Sequence, residues 1–270
     1  MKSSIKLAVD VSPESLPMYR ALACRSRAVQ LVDDADNCTA LVTDNAQTAV
    51  TAEKDRHVLV VNPFELAAET CQGLTDAAQS LPAHPARFRP SVVQVKTALD
   101  AGKLGDAGLL RIHCWNPEAE SAESLAREID LALWMFGGLP SEIYGLERSG
   151  YIQAHLGFAC GGMAIIDLDT VNHAGSEYYS LSMIGSTGAA YADDHPNFNL
   201  LMAKQGTRVL LTQQDDTALA AMIDRFATIV RDGGKFAPSW SDTESALRVA
   251  DHVRNSARDQ NVVTAGGSHV

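Results

Sequence analysis

Residues 5–16 read IKLAVDVSPESL, and the fold class is decided within this stretch. The apolar run at 5–11 predicts a strand, and Ser12, Pro13 and Glu14 then predict the start of a helix. A serine N-cap, a proline at the first helical position and an early acid all suit the positive end of a helix dipole. A strand that leads directly into a helix is half of a βαβ unit, so the stretch predicts an α/β fold.

Two more apolar runs support a parallel sheet in the first part of the chain. They lie at 39–43 and 57–61, and each precedes a polar or helical segment, as buried parallel strands do. Residues 80–90 then hold three prolines, which disfavour a helix and predict a crossover between domains. We therefore place one domain at 1–85 and a second at 86–270.

The second domain has the pattern of helices packed on one large sheet. Helices are predicted at 91–101, 121–136 and 215–232, and a last one begins with a capping box, S-x-x-E, at Ser241. The strands of the predicted sheet, which is open and mostly antiparallel, lie at 108–115, 150–158, 162–169, 178–184 and 207–211.

The composition is that of a folded protein that does not bind polyanions. The 270 residues are 46% hydrophobic, and the formal net charge of −11 repels nucleic acid and anionic membranes. Five cysteines without a C-x-x-C motif read as buried thiols in a reducing compartment, and neither a signal peptide nor a membrane span is indicated. We expect a cytoplasmic protein without a metal site.

Six motifs occur in an order that indicates a family. They are Thr43-Asp44-Asn45, Arg56-His57-Val58, Arg87-Phe88-Arg89-Pro90, Lys96 with Gly102-Lys103-Leu104-Gly105, Ile129-Asp130-Leu131 with Trp134 and Gly137, and Ile184-Gly185-Ser186-Thr187-Gly188. Through them the chain resembles the Gfo/Idh/MocA oxidoreductases over nearly its whole length. The resemblance implies a Rossmann-like domain that carries NAD(P), here shortened. It also implies an α/β domain whose open sheet shapes a sugar or cyclitol pocket and often forms the subunit interface.

The glycine-rich turn that the resemblance implies is missing. Such a turn lets the backbone approach a pyrophosphate at a helix N-terminus, but the first glycine of this chain is Gly73. Either the first strand, loop and helix of the family are deleted and Asp10 replaces its ribose-binding acid, or the first strand is present with a rewritten loop and the second unit is cut short. Both registers lose the phosphate-binding turn, so we expect no cofactor; Asp10 is the single cofactor-binding candidate.

The catalytic positions of the family also carry other residues. Asn62 stands where the resemblance implies a catalytic lysine, and Thr48 stands where it implies a histidine. The family's D-x-x-x-H pair aligns with Glu123 and Arg127, and an arginine is not a general base because it stays protonated. We therefore expect the proton relay to be absent.

Three residues are candidates for contacting a ligand. Arg127 is a candidate for clamping a small acid or polyol, although Glu123 and Arg127 also fit an exposed helical ion pair. Asp130 either lines the same pocket or makes a packing contact. His113 shares a polar strand face with Arg111 and Trp115, which makes it the third candidate.

These observations favour a protein that has kept the scaffold and lost hydride transfer. We expect a non-catalytic binding or assembly subunit that pairs through its large sheet with itself or with an active relative. The alternative is an active NAD(P)-dependent oxidoreductase acting on a sugar, cyclitol or related polyol. A third possibility is that the sequence is a truncated version of a longer functional chain.

Overall fold

The computed structural model describes residues 3–45, 47–48, 56–74, 79–115, 121–170, 178–193, 200–203, 206–209 and 214–264. The chain forms two compact units. Unit 1 is Met1–Arg89 with Gln214–Ser245, and unit 2 is Pro90–Gln213 with Ala246–Val270. The first unit thus extends slightly past the expected boundary near residue 85, and it includes a C-terminal segment that the sequence analysis assigned to the second domain.

The strands are β1 (Ile5–Asp10), β2 (Val29–Leu31), β3 (Ala40–Thr43), β4 (His57–Val60), β5 (Ser80–Pro82), β6 (Ala107–Trp115), β7 (Glu142–Arg148), β8 (Tyr151–Gly157), β9 (Met163–Asp169), β10 (Tyr178–Gly185), β11 (Ala189–Asp193), β12 (Leu200–Ala203), β13 (Gly206–Val209) and β14 (Val263–Thr264). The α-helices are α1 (Leu16–Ala23), α2 (Ala68–Leu74), α3 (Pro90–Asp100), α4 (Ser121–Phe136), α5 (Gln214–Asp232) and α6 (Trp240–Asp259), and 3₁₀ turns lie at Pro63–Glu65 and Pro85–Phe88. None of the described helices is both long and apolar enough to cross a membrane.

Unit 1 is built on a five-stranded parallel sheet with the order β2-β1-β3-β4-β5. Its core combines the sheet with α1 and α5, because Met222, Ile223 and Phe226 of α5 are fully buried in the same cluster as Leu7 and Val42. The apolar stripe of α5 is therefore buried against this sheet, which explains why residues 214–245 belong to unit 1.

Two details of unit 1 differ from the sequence-based expectation. The helix after β1 begins at Leu16 rather than at Ser12, because Ser12 accepts hydrogen bonds from the N–H groups of Ser15 and Leu16 in a preceding turn. The proline-rich segment contains the short strand β5, which lies at the sheet edge. Pro82 is tolerated there because an edge strand does not need every N–H for pairing.

Unit 2 is built on a seven-stranded sheet with the order β11-β10-β6-β9-β8-β7-β14, in which only β6 and β9 pair in parallel. One face of this sheet is buried, and Leu110, Ile112, Ile152 and Ile166 are at most 1% exposed on it. The opposite face, hereafter the open face, carries the alternate residues of each strand. The α/β class and the large, mostly antiparallel sheet are both confirmed.

Three further expectations require correction. The strand expected at 207–211 pairs as β13 with β12 in a separate two-stranded sheet, and 210–211 lie outside the described residues. The capping box of α6 is formed by Ser239 and Asp242, whose side chains each bond the other's N–H, rather than by Ser241 and Glu244. The cysteines are not uniformly buried: Cys24 and Cys160 are exposed, whereas Cys71 and Cys114 are buried.

Candidate functional site

The carboxyl edge of the parallel sheet in unit 1 is the first candidate site. The chain builds the sheet from β1 to β2 on one side and then returns to add β3 on the other side. Ligands of doubly wound sheets bind in the crevice beyond such a reversal, at the carboxyl ends of the strands. This strand order is compatible with a deleted first strand and also with a retained one, because β1 lies between β2 and β3 in both cases.

A hydrogen bond spans this crevice between the end of β1 and the end of β3. Asp10 and Thr43 are the last paired residues of β1 and β3. Directly beyond them, the Ser12 N–H donates a hydrogen bond to Asp44 Oδ2 at 2.6 Å. Thr43 is fully buried, and its hydroxyl accepts a bond from the Asn45 N–H at 3.1 Å, which holds the turn that contains Asp44.

The turn between β1 and α1 has few N–H groups to offer an anion. Residues 13 and 17 are prolines, and Ser12 donates its N–H to Asp44. The N–H groups of Ser15 and Leu16 donate to the Ser12 carbonyl. Five of the six positions from 12 to 17 therefore cannot donate to a pyrophosphate, and the NAD(P) that the resemblance implies does not fit this turn.

The charges around the turn are negative as well. Asp10 and Glu14 are exposed on the two sides of it, and Asp44 is half-buried. Burial raises the pKa of Tyr19 on α1 to about 12, and the negative charge of Asp44 adds to this rise. The structure thus places Asp10 at the expected edge, among acids; its role as a ribose ligand stays a prediction.

The ends of β4 and β5 complete the same edge. Asn62, at the family-aligned lysine position, is exposed and precedes the 3₁₀ turn that contains buried Phe64. The Phe64 ring lies 4.8 Å from the ring of His84, which is 1% exposed and whose Nε2 lies 2.8 Å from Thr243 Oγ1. His84 was not a sequence-based candidate, and its contacts anchor the start of α6.

The predicted ligand residues of unit 2 do not come together. Glu123, Arg127 and Asp130 lie on α4; Glu123 and Arg127 are half-buried and Asp130 is 1% exposed. Helix α4 packs on β6 and β9, whose buried face carries Leu110 and Ile112. His113 lies on the open face, so the sheet separates it from the other candidates.

The open face instead holds a hydrogen-bonded network centred on Asp167. Its Oδ1 accepts bonds from Tyr151 Oη at 2.8 Å and from Gln153 Nε2 at 2.6 Å. Its Oδ2 lies 3.1 Å from His113 Nε2 and 3.5 Å from a guanidinium nitrogen of Arg111. The pairing of β6 with β9 and of β9 with β8 brings these partners to the strand face that Arg111 and His113 share.

The electrostatics of Asp167 are those of a structural carboxylate. Burial opposes its ionisation, but the bonds from Gln153 and Tyr151 and the charges of His113 and Arg111 prevail and lower its pKa. Burial also raises the pKa of Tyr151 to about 12, and its bond to Asp167 adds to the rise. A carboxylate that binds this many donors is a poor base. The described part of the chain shows no group of three or more His, Cys, Asp or Glu residues suited to a metal.

Around this polar centre the open face carries apolar side chains interspersed with polar ones such as Arg148, Ser180 and Ser182. The described residues include ten large hydrophobic side chains that are exposed, and six of them lie on this face: Trp115, Leu146, Tyr151, Met163, Ile184 and Tyr191. Single exposed hydrophobic side chains are normally scattered over a protein surface, whereas these six share one face.

Comparison with known proteins yields similarity in structure only. No protein-family model and no curated protein matches the chain. Three solved structures show the relationship. The myo-inositol dehydrogenase of Corynebacterium glutamicum ATCC 13032 is 17% identical with a TM-score of 0.81, covering 98% of this chain and 100% of its own. GenD2 from gentamicin A biosynthesis, in complex with NAD, is 15% identical with a TM-score of 0.82 and coverages of 99% and 98%. The scyllo-inositol dehydrogenase of Lactobacillus casei with bound NAD(H) and scyllo-inositol is 14% identical with a TM-score of 0.78 and coverages of 97% and 99%. The chain therefore has the fold of the inositol dehydrogenases, and its resemblance to the Gfo/Idh/MocA oxidoreductases is confirmed at the level of that fold.

Proposed function

We propose that this protein is a non-catalytic subunit on an oxidoreductase fold, which has lost NAD(P) binding and hydride transfer. The observation that carries the proposal is the turn between β1 and α1, where five of six backbone positions cannot donate to a pyrophosphate. The acids Asp10, Glu14 and Asp44 around that turn add repulsion. Asn62 supports the loss of hydride transfer, because an amide side chain does not deliver the proton that the reaction requires.

A turnover assay tests this proposal. The purified protein is incubated with NAD⁺ or NADP⁺ and a panel of sugars and cyclitols that includes myo-inositol and scyllo-inositol, and absorbance at the wavelength of the reduced nicotinamide is followed. We expect no rate above a protein-free control. An active inositol dehydrogenase serves as the positive control, and steady turnover by this chain would overturn the proposal.

The role that we propose in place of catalysis is assembly through the open face of the seven-stranded sheet. The six exposed hydrophobic side chains on this face give it the character of an interface. Strands about 4.8 Å apart and rising about 3.3 Å per residue make a seven-stranded face of roughly 700 Å², which is close to the roughly 800 Å² that each partner buries in a standard interface. The partner is a second copy of this chain or an active relative.

Two smaller parts of the proposal concern the ligand and the location. A small polyol or acid binds near Arg127, whose partly exposed guanidinium suits a carboxylate or a pair of hydroxyls. The location is the cytoplasm, which the five free thiols support. Calorimetric titration with scyllo-inositol and with a sugar acid such as gluconate, comparing wild type with Arg127→Gln, tests the first of these.

The second candidate function is an active NAD(P)-dependent polyol oxidoreductase. The observation in its favour is the close match in fold to structures described as complexes with NAD, NAD(H) and scyllo-inositol. This reading requires that groups other than the β1–α1 turn hold the pyrophosphate. The turnover assay separates the two functions.

A further inference from the structure

We propose that Asp44 is a specificity-determining residue that keeps phosphate groups out of the β1–α1 turn by occupying their place with its own carboxylate. This inference rests on the proposed function, since both concern the same turn. It goes further than the proposed function because it assigns the exclusion of phosphate to the side chain of Asp44.

The geometry of the contact is that of an anion bound at the turn. Asp44 Oδ2 accepts the Ser12 N–H at 2.6 Å, a distance typical of a charge-assisted bond. Ser12 follows β1 by two residues and Asp44 follows β3 by one, so the bond spans the point at which ligands of such sheets approach. In doubly wound sheets, the backbone N–H groups of such a strand-to-helix turn are the ones that meet a phosphate.

Asp44 is also held firmly in its position. Thr43 is fully buried at the end of β3, its carbonyl accepts the Val61 N–H at 2.8 Å, and its hydroxyl accepts the Asn45 N–H at 3.1 Å. Asn45 Oδ1 in turn accepts the Gln47 N–H at 3.0 Å. These bonds hold the backbone on both sides of Asp44 and thereby keep its Cα at the end of β3, next to Ser12.

A phosphate that enters the turn therefore meets two costs at once. It must displace a carboxylate from the Ser12 N–H, and it must then remain beside that displaced negative charge. Asp10 contributes charge at the same edge, but Ser12 bonds to Asp44 and not to Asp10. Substituting each acid in turn therefore separates the effect of the contact with Ser12 from the effect of negative charge alone.

The test compares wild type, Asp44→Ala and the matched control Asp10→Ala as full-length, ¹⁵N-labelled proteins titrated with inorganic pyrophosphate. Alanine is used because an asparagine at position 44 would keep an oxygen that accepts the Ser12 N–H. The readout is the backbone amide resonance of Ser12 in two-dimensional NMR spectra. We expect this resonance to stay in place in wild type and in Asp10→Ala up to millimolar pyrophosphate. In Asp44→Ala it should shift on titration, with an apparent Kd at least tenfold below the highest pyrophosphate concentration at which the other two proteins stay unchanged.

Three results would overturn the inference: a Ser12 resonance that does not respond in a folded Asp44→Ala, equal responses in Asp44→Ala and Asp10→Ala, or a response already in wild type. If Asp44→Ala does not fold, Asp44→Val, which also lacks a side-chain acceptor, takes its place with the same expectations. Hydrogen exchange of wild type gives an independent check, because the Ser12 amide should be protected, and exchange at the rate of an unstructured peptide would overturn the inference. Turnover in the assay above would refute the proposed function, while the Ser12 resonance reports separately whether Asp44 holds the turn.

Discussion

The substitution Asp167→Asn tests the network at the centre of the open face. Asp167 Oδ1 binds Tyr151 and Gln153 at 2.8 and 2.6 Å, and Oδ2 lies 3.1 Å from His113. An asparagine can present its carbonyl oxygen to only one of these two sides, so its NH₂ group must face donors on the other. In the variant, the exposed donor groups around position 167 regain hydrogen bonds to water. One charge-assisted hydrogen bond is lost, however, and one half-buried donor is left unpaired. Each of these costs about 1.5 kcal/mol or more, so we expect a loss of about 3 kcal/mol in the free energy of unfolding.

The pH dependence of this loss follows from the lowered pKa of Asp167. A carboxyl whose pKa is lower in the folded than in the unfolded protein stabilises the fold above its unfolded value, near 3.9, and loses this contribution as the pH falls through the folded value. The difference between wild type and variant should therefore not shrink between about pH 8 and pH 5, and it should decline only below about pH 4.

Urea unfolding followed by circular dichroism and tryptophan fluorescence measures the difference. The control is Asp169→Asn, which removes the same charge from the same strand and face, and for which we expect at most about 1 kcal/mol. A loss below about 1 kcal/mol for Asp167→Asn at pH 7, or a difference that disappears between pH 8 and pH 5, would refute the assignment of Asp167 as an ionised, donor-saturated carboxylate.

Three further predictions concern packing, assembly and capping. Gly145→Ala would force a methyl group into a backbone carbonyl of α6 and should lower the free energy of unfolding by about 3 kcal/mol, whereas Gly157→Ala, which meets only ordinary contacts, should cost about 1 kcal/mol or less in the same urea experiment. Ile184→Glu on the open face should convert a self-associated protein to monomers in sedimentation equilibrium, whereas Leu139→Glu, at a residue that is 60% exposed away from that face, should leave the association unchanged. Asp242→Asn should cost about 2 kcal/mol at pH 7, because it removes the charge that pairs with the buried Arg87 and leaves a single side-chain oxygen for Arg87 and Ser239 to share. Since the pKa of Asp242 is lowered, the effect should fade only below about pH 4, and a loss that is constant down to pH 3 would contradict this reading.

The sequence predicts best those helices and strands in which the pattern of apolar residues continues over many residues. Helix α4 begins and ends at the predicted residues, and β1 and β9 differ from their predicted ranges by one residue at one end. Strand β2 was not predicted because its three residues include no buried side chain. Strand β5 was not predicted because Pro82 and its neighbouring prolines resemble a linker, and only its place at the sheet edge makes it a strand.

The start of α6 shows how tertiary contacts decide between equivalent local signals. Ser239 and Ser241 each have an acid three residues later, so both fit a capping box. Trp240 lies between them, is 3% exposed, and donates its indole N–H to the Ser80 carbonyl at 2.7 Å. Burying this indole within unit 1 selects Ser239 as the cap.

The sequence supports a prediction about the chemistry of the candidate site but does not contain its contacts. The missing glycines, Pro13 and the surrounding acids predict that the first turn binds no phosphate. The bond between Ser12 and Asp44 joins residues 32 positions apart, and only the pairing of β1 with β3 brings them together. The separation of His113 from Arg127 and Asp130 likewise depends on which face of the sheet α4 covers, and a single strand pattern does not contain that information.

The central claim, that this fold no longer binds a dinucleotide, is tested most directly by titrating the purified protein with NADH and NADPH. Calorimetry and the fluorescence of the reduced nicotinamide report the binding, with an active inositol dehydrogenase as the reference. We expect no heat of binding and no change in nicotinamide fluorescence up to millimolar cofactor. Saturable binding at micromolar concentration would contradict it and would make the active oxidoreductase the better description.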